Sequence, residues 1–271
     1  VITAFSSMLK MVNSVFIDHY VSGVVEAEAG KEEPLEYYKV QSIICRTYAL
    51  NNLRRHAEEG FYLCDKVHCQ VFKGKSQSNP DIVKATQKTT GIVLVDSEIN
   101  LITAAFHSNC GGHTVNSEDV WVSAVPYLRA REDTFCLNER NAIWHKTIPR
   151  AAWLSYLDNR FQYPSSIKLF ARSATEHCQN ERKLILSPLK TNTYLKVIRS
   201  DWKLRSTFFC IDPEKDSITL HGKGYGHGVG LCQEGAMRQA KLGRDYQSIL
   251  HYYYKDVHLV DLSVMEFFRA E

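Results

Sequence analysis

The chain is 271 residues long, 44% apolar and 23% charged, with a net charge of +3 at pH 7. That length holds one large domain or two smaller ones, and the composition is that of an ordinary folded protein able to bury a substantial core. No run of about 18 apolar residues offers a membrane span, and the small positive excess is not gathered into a Lys/Arg block, which argues against a nucleic-acid partner. It stays compatible with an anionic polymer.

The opening stretch VITAFSSMLKMVNSVF lacks the basic end and continuous apolar block of a signal peptide. Because its first residue is Val, an upstream segment is expected before it. Residues 15–27, VFIDHYVSGVVEA, read as one or two short strands or as a strand entering a helix. From Glu36 to about Glu59, Val40, Ile43, Ile44, Tyr48, Leu50 and Leu53 recur at helical spacing, and Gly60 is a natural stop. HCQVFKG and TTGIVLVDSEINLITAAFHS are strand-like, the second with DSEIN as a hairpin turn. SEDVW, Ser117 to Trp121, resembles a capped helical turn. Residues 150–157 predict a short amphipathic helix, and residues 166–222 alternate as antiparallel strands do. Two helices, about Gln233 to Lys241 and Tyr246 to Tyr254, close the chain. Without regular βαβ alternation the expected class is α+β, a mixed, helix-containing core with antiparallel sheets. A boundary near residue 140 sets off a sheet-rich sublobe of about residues 141–220.

HGKGYGHGVGLCQEGA, His221 to Ala236, holds six of the 14 glycines. It is no phosphate loop, because Lys223 is followed by Gly224 and no window fits G-x-G-x-x-G. What remains is backbone that can take positive φ or be closely approached, and with His221, His227 and Gln233 inside it the stretch reads as a ligand surface. Upstream, VVEAEAGKEEPLEYYKVQSIICRTYAL joins an acidic stretch to a helix whose Gln41, Thr47 and Tyr48 fall among apolar positions. Buried polar groups need partners, so that helix is either internally bonded or faces a groove. Position alone selects none of Glu26, Glu28, Glu32 and Glu33. Of the eight cysteines, Cys64, Cys69, Cys110 and Cys136 sit in polar, turn-like segments. Cys45, Cys178, Cys210 and Cys232 sit mostly among apolar neighbours and read as buried thiols.

VVEAEAG with KVQSIICRTYAL, CDKVHCQVFKG, AAFHSNCGGHTVNSEDVW with PYL, LRSTFF, and GKGYGHGVGLCQEGAMRQAKLG with ILHYYYKDV follow one another over about residues 20–260. In that order they resemble the SpoIID family, peptidoglycan lytic transglycosylases named for the stage II sporulation protein D. The resemblance implies one SpoIID-like domain over residues 1–271, with a glycan groove between two lobes. It implies cleavage of the β-1,4 bond between N-acetylmuramic acid and N-acetylglucosamine in denuded glycan strands, leaving a 1,6-anhydro end. It also implies an extracytoplasmic location, with a signal or anchor segment removed, and cell-wall hydrolases such as an amidase as further partners. A rival reading is a non-catalytic module that grips peptidoglycan and stimulates such an amidase.

An ordinary glycosidase uses two carboxylates, but an anhydro-forming enzyme needs one, because the sugar's own 6-hydroxyl attacks C1. The family's catalytic glutamate, in a Val-x-x-Glu motif, falls on Glu28. Many members follow it with Met-Pro, where this chain has Ala29-Gly30. Such a general acid/base is expected to have a raised pKa. Glu26 is a reserve candidate that would share Glu28's face if the segment is extended. Gln41, Arg46 and Tyr48 are expected to support or line the groove near Glu28. Gln70, Ser108, Ser117 and Gln233 would hydrogen-bond sugar hydroxyls or acetamido groups, and His227 would approach a sugar from its glycine frame.

Some family members bind zinc. Cys64 and Cys69 are spaced for one edge of a tetrahedral site, with His56 and His68 nearby. Alternatives are Cys110, Cys136 and His107, with His113 beside them, or an all-thiolate set of Cys64, Cys69, Cys110 and Cys136. Two disulfides, Cys64–Cys69 and Cys110–Cys136, compete with these. Either arrangement would be structural, since the glutamate mechanism requires no cofactor. A zinc hydrolase is disfavoured because no H-E-x-x-H helix is present.

Overall fold

The computed structural model describes residues 1–5, 8–30, 32–76, 78–121 and 123–264. In chain order come β1 (Ile2–Phe5), β2 (Met8–Met11), α1 (Ile17–Glu28), α2 (Leu35–Asn51), α3 (Pro80–Lys88) and β3 (Ile92–Val95). β4 (Phe106–His107), β5 (Ile143–Pro149), α4 (Arg150–Phe161), α5 (Lys168–Thr175), β6 (Ile185–Ser187) and β7 (Lys190–Tyr194) follow. Then come α6 (Leu195–Asp201), β8 (Phe209–Pro213), β9 (Ser217–Lys223), β10 (Leu231–Cys232), α7 (Gln233–Lys241), α8 (Tyr246–Tyr253) and β11 (His258–Asp261). The sheets are small and, apart from the parallel β4–β10 pair, antiparallel, so the class is α+β as expected. Among the described residues no helix is long and apolar enough to cross a membrane.

The chain divides into two compact units. The first comprises the residues before Phe106 and most of the chain after Arg238; the second comprises Phe106–Arg238 with Tyr253–Lys255.

In the first unit α1, α2, α3 and β3 pack on one another. Residues 15–27, read as short strands or as a strand entering a helix, are helical from Ile17 onward as α1, with no strand ahead of it in that run. Val21, Val24 and Val25 recur at i, i+3 and i+4 and are fully buried, so burial along one helical stripe outweighs the strand preference of β-branched side chains. α2 ends at Asn51 rather than near Glu59, and a 3-10 turn at Ala57–Glu59 leads to Gly60. HCQVFKG forms no strand. It lies on α1 because a Cβ at Gly23 would stand 2.2 Å from Gly74 O and 2.6 Å from Phe72 Cε2, an approach that only glycine permits. DSEIN does turn, with Asp96 Oδ1 accepting from the Glu98 and Asn100 amides. The run after it keeps only a bridge between Val95 and Leu101 and the two-residue β4, while β3 takes β11 as its antiparallel partner.

The second unit is built on the sheet β5–β9–β8. Trp144, Trp153, Leu157, Phe209, Ile218 and Leu220 are among its buried core residues. The helices α5 and α6 interrupt the run read as all-strand; at eight and seven residues they are too short for a helical period to stand out. Cys178 and Cys210, read as buried thiols, form a disulfide. SEDVW does contain a helical turn, a 3-10 segment at Ser117–Asp119.

Candidate functional site

Glu28 is the last residue of α1 and is partly buried. Its Oε1 accepts a hydrogen bond from Val71 N at 3.4 Å. Desolvation raises the carboxyl above its ordinary pKa, and the Val71 amide and the Lys73 ammonium oppose that shift without cancelling it. The segment that supplies Val71 is the one Gly23 admits onto α1. It is fixed there by Phe72, stacked on Tyr20 at 5.2 Å, and by Tyr20 OH, which donates to Gln70 Oε1 at 3.3 Å. Burial holds the Tyr20 phenol above its ordinary value, so it stays a neutral donor. Gln70 Nε2 is buried beside the enclosed Cys45 thiol. The first unit therefore combines a carboxyl whose pKa is raised by burial with a backbone amide on the supporting segment that reaches it.

Glu26 does not share Glu28's face. On a helix, residues two apart are turned by about 200°, and only an extended segment would have aligned them. Its carboxylate instead accepts from the Ser78 amide at 3.2 Å and from the Ser78 hydroxyl.

The polar groups of α2 are bonded within the protein. Gln41 Nε2 donates to Tyr37 OH at 2.9 Å. Arg46, only 2% exposed, donates to Asp18 Oδ1 at 2.9 Å, Ile92 O at 3.1 Å and Thr86 O at 3.3 Å. Thr47 Oγ1 accepts from Leu94 N at 3.0 Å. Tyr48 OH accepts from Arg55 Nη1 at 3.1 Å, and burial raises its pKa against the pull of that guanidinium.

His56, Cys64, His68 and Cys69 come together in the same unit, with one ligand atom from each lying within 4.8 Å of the others. Cys69 Sγ is 3.4 Å from His56 Nε2, and both sulfurs are 3.8 Å from His68 Nδ1. Burial tends to raise the Cys64 thiol, but the Lys66 amide, His68, Cys69 and His56 outweigh it and bring it down to about 6. Two thiols and two imidazoles at this spacing fit a tetrahedral zinc. Glu59 Oε1, 2.5 Å from His56 Nδ1, is the kind of carboxylate that orients a ligating imidazole. One adjustment is needed: a metal on His68 Nδ1 leaves Nε2 protonated, so the exposed Arg55 guanidinium 3.3 Å from it must turn away.

In the second unit, Gly224, Gly226, Gly228 and Gly230 all have φ between 70° and 115°, so the glycine-rich stretch follows a path that side-chain-bearing residues rarely take. It carries His227, which packs beside His107 at 5.4 Å and Trp121 at 5.5 Å, with its Nδ1 accepting from Val229 N. Desolvation, reinforced by the Arg199 and Arg182 charges, lowers His227 to about 4, so it is a neutral imidazole at pH 7. A cavity of about 160 Å³ opens here, lined by His227, Trp121, Tyr194, Lys183, Lys196 and Arg199 among others. Trp121 and Tyr194 are 37% and 46% exposed, aromatic faces of the kind sugars pack on. His227, the SEDVW residues 118–121 and Thr207 of LRSTFF lie in motifs the sequence singled out; Lys183, Leu184, Tyr194, Leu195, Lys196 and Arg199 had no motif to reveal them.

Ser108 and Ser117 are engaged internally. Ser108 Oγ accepts from Asn141 Nδ2 at 3.1 Å, and the buried Ser117 Oγ accepts from Val125 N at 2.7 Å and Arg129 Nη2 at 3.1 Å. Gln233 is buried at the start of α7. His107 does not join Cys110 and Cys136: its Nδ1 donates to Val229 O at 3.1 Å, while His113 Nδ1 donates to Thr114 O at 2.6 Å. The cysteines are gathered into two sets, Cys64 and Cys69 with histidines, and Cys110 and Cys136 with Cys232 and Asp133. All of these cysteines are free thiols, so the structure does not contain the Cys64–Cys69 and Cys110–Cys136 disulfides that competed with a metal.

Residues 6–95 match the family model SpoIID, described as stage II sporulation protein. An uncharacterized protein of Brachyspira hyodysenteriae is 30% identical over 261 residues, covering 95% of this chain and 70% of that protein. The amidase enhancer of Bacillus subtilis is 28% identical over 86% of this chain but only 39% of its own length. Stage II sporulation protein D of Bacillus subtilis is 27% identical over 95% of this chain and 78% of its own length.

Proposed function

The chain belongs to the SpoIID family, and on that premise we propose that it is an extracytoplasmic lytic transglycosylase acting on the MurNAc-β-1,4-GlcNAc bond of denuded glycan strands. The observation that carries the reading is Glu28, a partly buried carboxyl with a raised pKa at the motif position of the family's glutamate. Protonated Glu28 gives its proton to the glycosidic oxygen as the C1–O bond breaks. The MurNAc 6-hydroxyl bonds to C1, and its proton passes to the Glu28 carboxylate, which is thereby restored. Val71 N–H would stabilise the carboxylate formed in between. In the second unit, Trp121 and Tyr194 would pack on sugar faces, with the neutral His227 and the Lys183, Lys196 and Arg199 cations beside them.

His56, Cys64, His68 and Cys69 would hold a structural zinc, which when bound cross-links the segment leading to Gln70 and Val71. Proton transfer stays with Glu28.

The test is mass spectrometry of products from denuded glycan. Glu28→Gln should release anhydro-ended fragments about 10²–10⁴-fold more slowly than the parent; an unchanged rate in folded protein rejects the assignment. A second reading, stimulation of a cell-wall amidase without cleavage, is favoured by the relative named amidase enhancer. It predicts a faster amidase and no anhydro ends from the parent protein.

A further inference from the structure

We propose that Cys110, Cys136, Cys232 and Asp133 form a buried four-ligand site for a thiophilic divalent cation, zinc by its chemistry, separate from the His56–Cys69 set. All four residues are fully buried, and one ligand atom from each lies within 4.8 Å of the others. Cys110 Sγ is 3.3 Å from Cys136 Sγ and 3.4 Å from Asp133 Oδ2. Tetrahedral zinc with these ligands separates sulfurs by about 3.8 Å and sulfur from oxygen by about 3.6 Å, so these two separations need to open by only about half an ångström or less. A hard cation such as calcium would want oxygen ligands instead.

The surroundings match those of a metal-thiolate centre. The Cys232 sulfur accepts from two backbone amides, Cys110 N at 3.3 Å and Gly235 N at 3.4 Å, contacts that stabilise a thiolate. Asp133 is oriented from behind: its Oδ2 accepts from Tyr253 OH at 2.8 Å and its Oδ1 from Phe135 N at 3.1 Å. Space for this carboxylate exists because residue 235 is glycine; a Cβ there would stand 2.5 Å from Asp133 Oδ2 and 2.3 Å from Tyr253 OH.

Arg182 is an independent sign. It donates Nη2 to Cys110 O at 2.8 Å, yet its buried Nε and Nη1 have no hydrogen-bond partner within the protein. A buried guanidinium needs an anion near it. Zinc with three thiolates and a carboxylate carries a net charge of about −2, which would supply that anion. Neutral thiols would leave that cation with less compensation. A disulfide between two of the three sulfurs would leave the third unused, whereas a metal engages all three together with Asp133.

The full chain, purified under reducing conditions without chelator, is analysed for zinc by elemental mass spectrometry and for thiols after denaturation. Cys64→Ser/Cys69→Ser removes the other set and should retain about one equivalent of zinc per chain; His56→Asn/His68→Asn is a second route to the same state should the first variant fold poorly. Adding Cys110→Ser/Cys232→Ser to the folding-competent background should abolish that equivalent. Cobalt(II) in place of zinc should give thiolate-to-metal absorption in the first variants and lose it in the combined one. Folded Cys64→Ser/Cys69→Ser or His56→Asn/His68→Asn protein that binds neither metal overturns the proposal, whether Cys110, Cys136 and Cys232 are then recovered as free thiols or Cys110 is found disulfide-bonded to Cys136.

Discussion

Arg46→Met deletes a guanidinium that is only 2% exposed and that makes three hydrogen bonds, to Asp18 Oδ1, Ile92 O and Thr86 O. Breaking a buried ion pair by removing one partner costs about 3–5 kcal/mol, because the other charge is left uncompensated. The lower end applies here. Asp18 keeps 28% side-chain exposure and still accepts from Thr90 OH at 2.7 Å, and Thr86 O still accepts from Thr89 N at 3.2 Å. Methionine also refills most of the aliphatic volume. The expected loss is therefore about 3 kcal/mol, read from urea unfolding followed by circular dichroism. A double-mutant cycle with Asp18→Asn should return a coupling of about 1.5–3 kcal/mol for the charged hydrogen bond alone. A loss below about 1 kcal/mol would refute the structural role. So would folded Arg46→Met protein whose rate on denuded glycan falls by about 10²-fold or more, since that would place the guanidinium at the substrate.

Glu28→Gln should be more stable than the parent at neutral pH. A carboxyl whose folded pKa is raised contributes stability that is present below the unfolded value of about 4.3 and is lost as pH rises through the folded pKa. Melting temperatures across pH should converge below about pH 4, and a parent more stable than the variant at pH 7 would contradict the burial argument. Cys178→Ser/Cys210→Ser opens a loop with a sequence separation of 32, for which chain entropy gives a loss of about 3.7 kcal/mol, measurable by urea unfolding. Trp121→Ala should weaken binding of a denuded glycan fragment by about 10-fold in calorimetry while leaving the melting temperature nearly unchanged, as its ring is 37% exposed.

Apolar residues at helical spacing were enough to set out α2, although that helix is buried on nearly every face rather than along one stripe, and α4, α7 and α8 were also legible as helices. That spacing failed at α1, where clustered valines suit a strand equally well and only packing against α2 and α3 decides for helix. That decision moved Glu26 off Glu28's face, since a period of 3.6 replaced a period of 2.

The sequence by itself determined the α+β class, the family and the glutamate to consider, all of which are carried by short runs of residues. Only the tertiary structure decided what each polar group does. Arg46 bonds to Asp18 from 28 positions earlier, Cys178 pairs with Cys210, and Cys232 joins Cys110 from 122 positions away. Partners so far apart leave no spacing signal; they meet because burying apolar surface brings distant segments together and obliges each enclosed charge or thiol to find a neighbour.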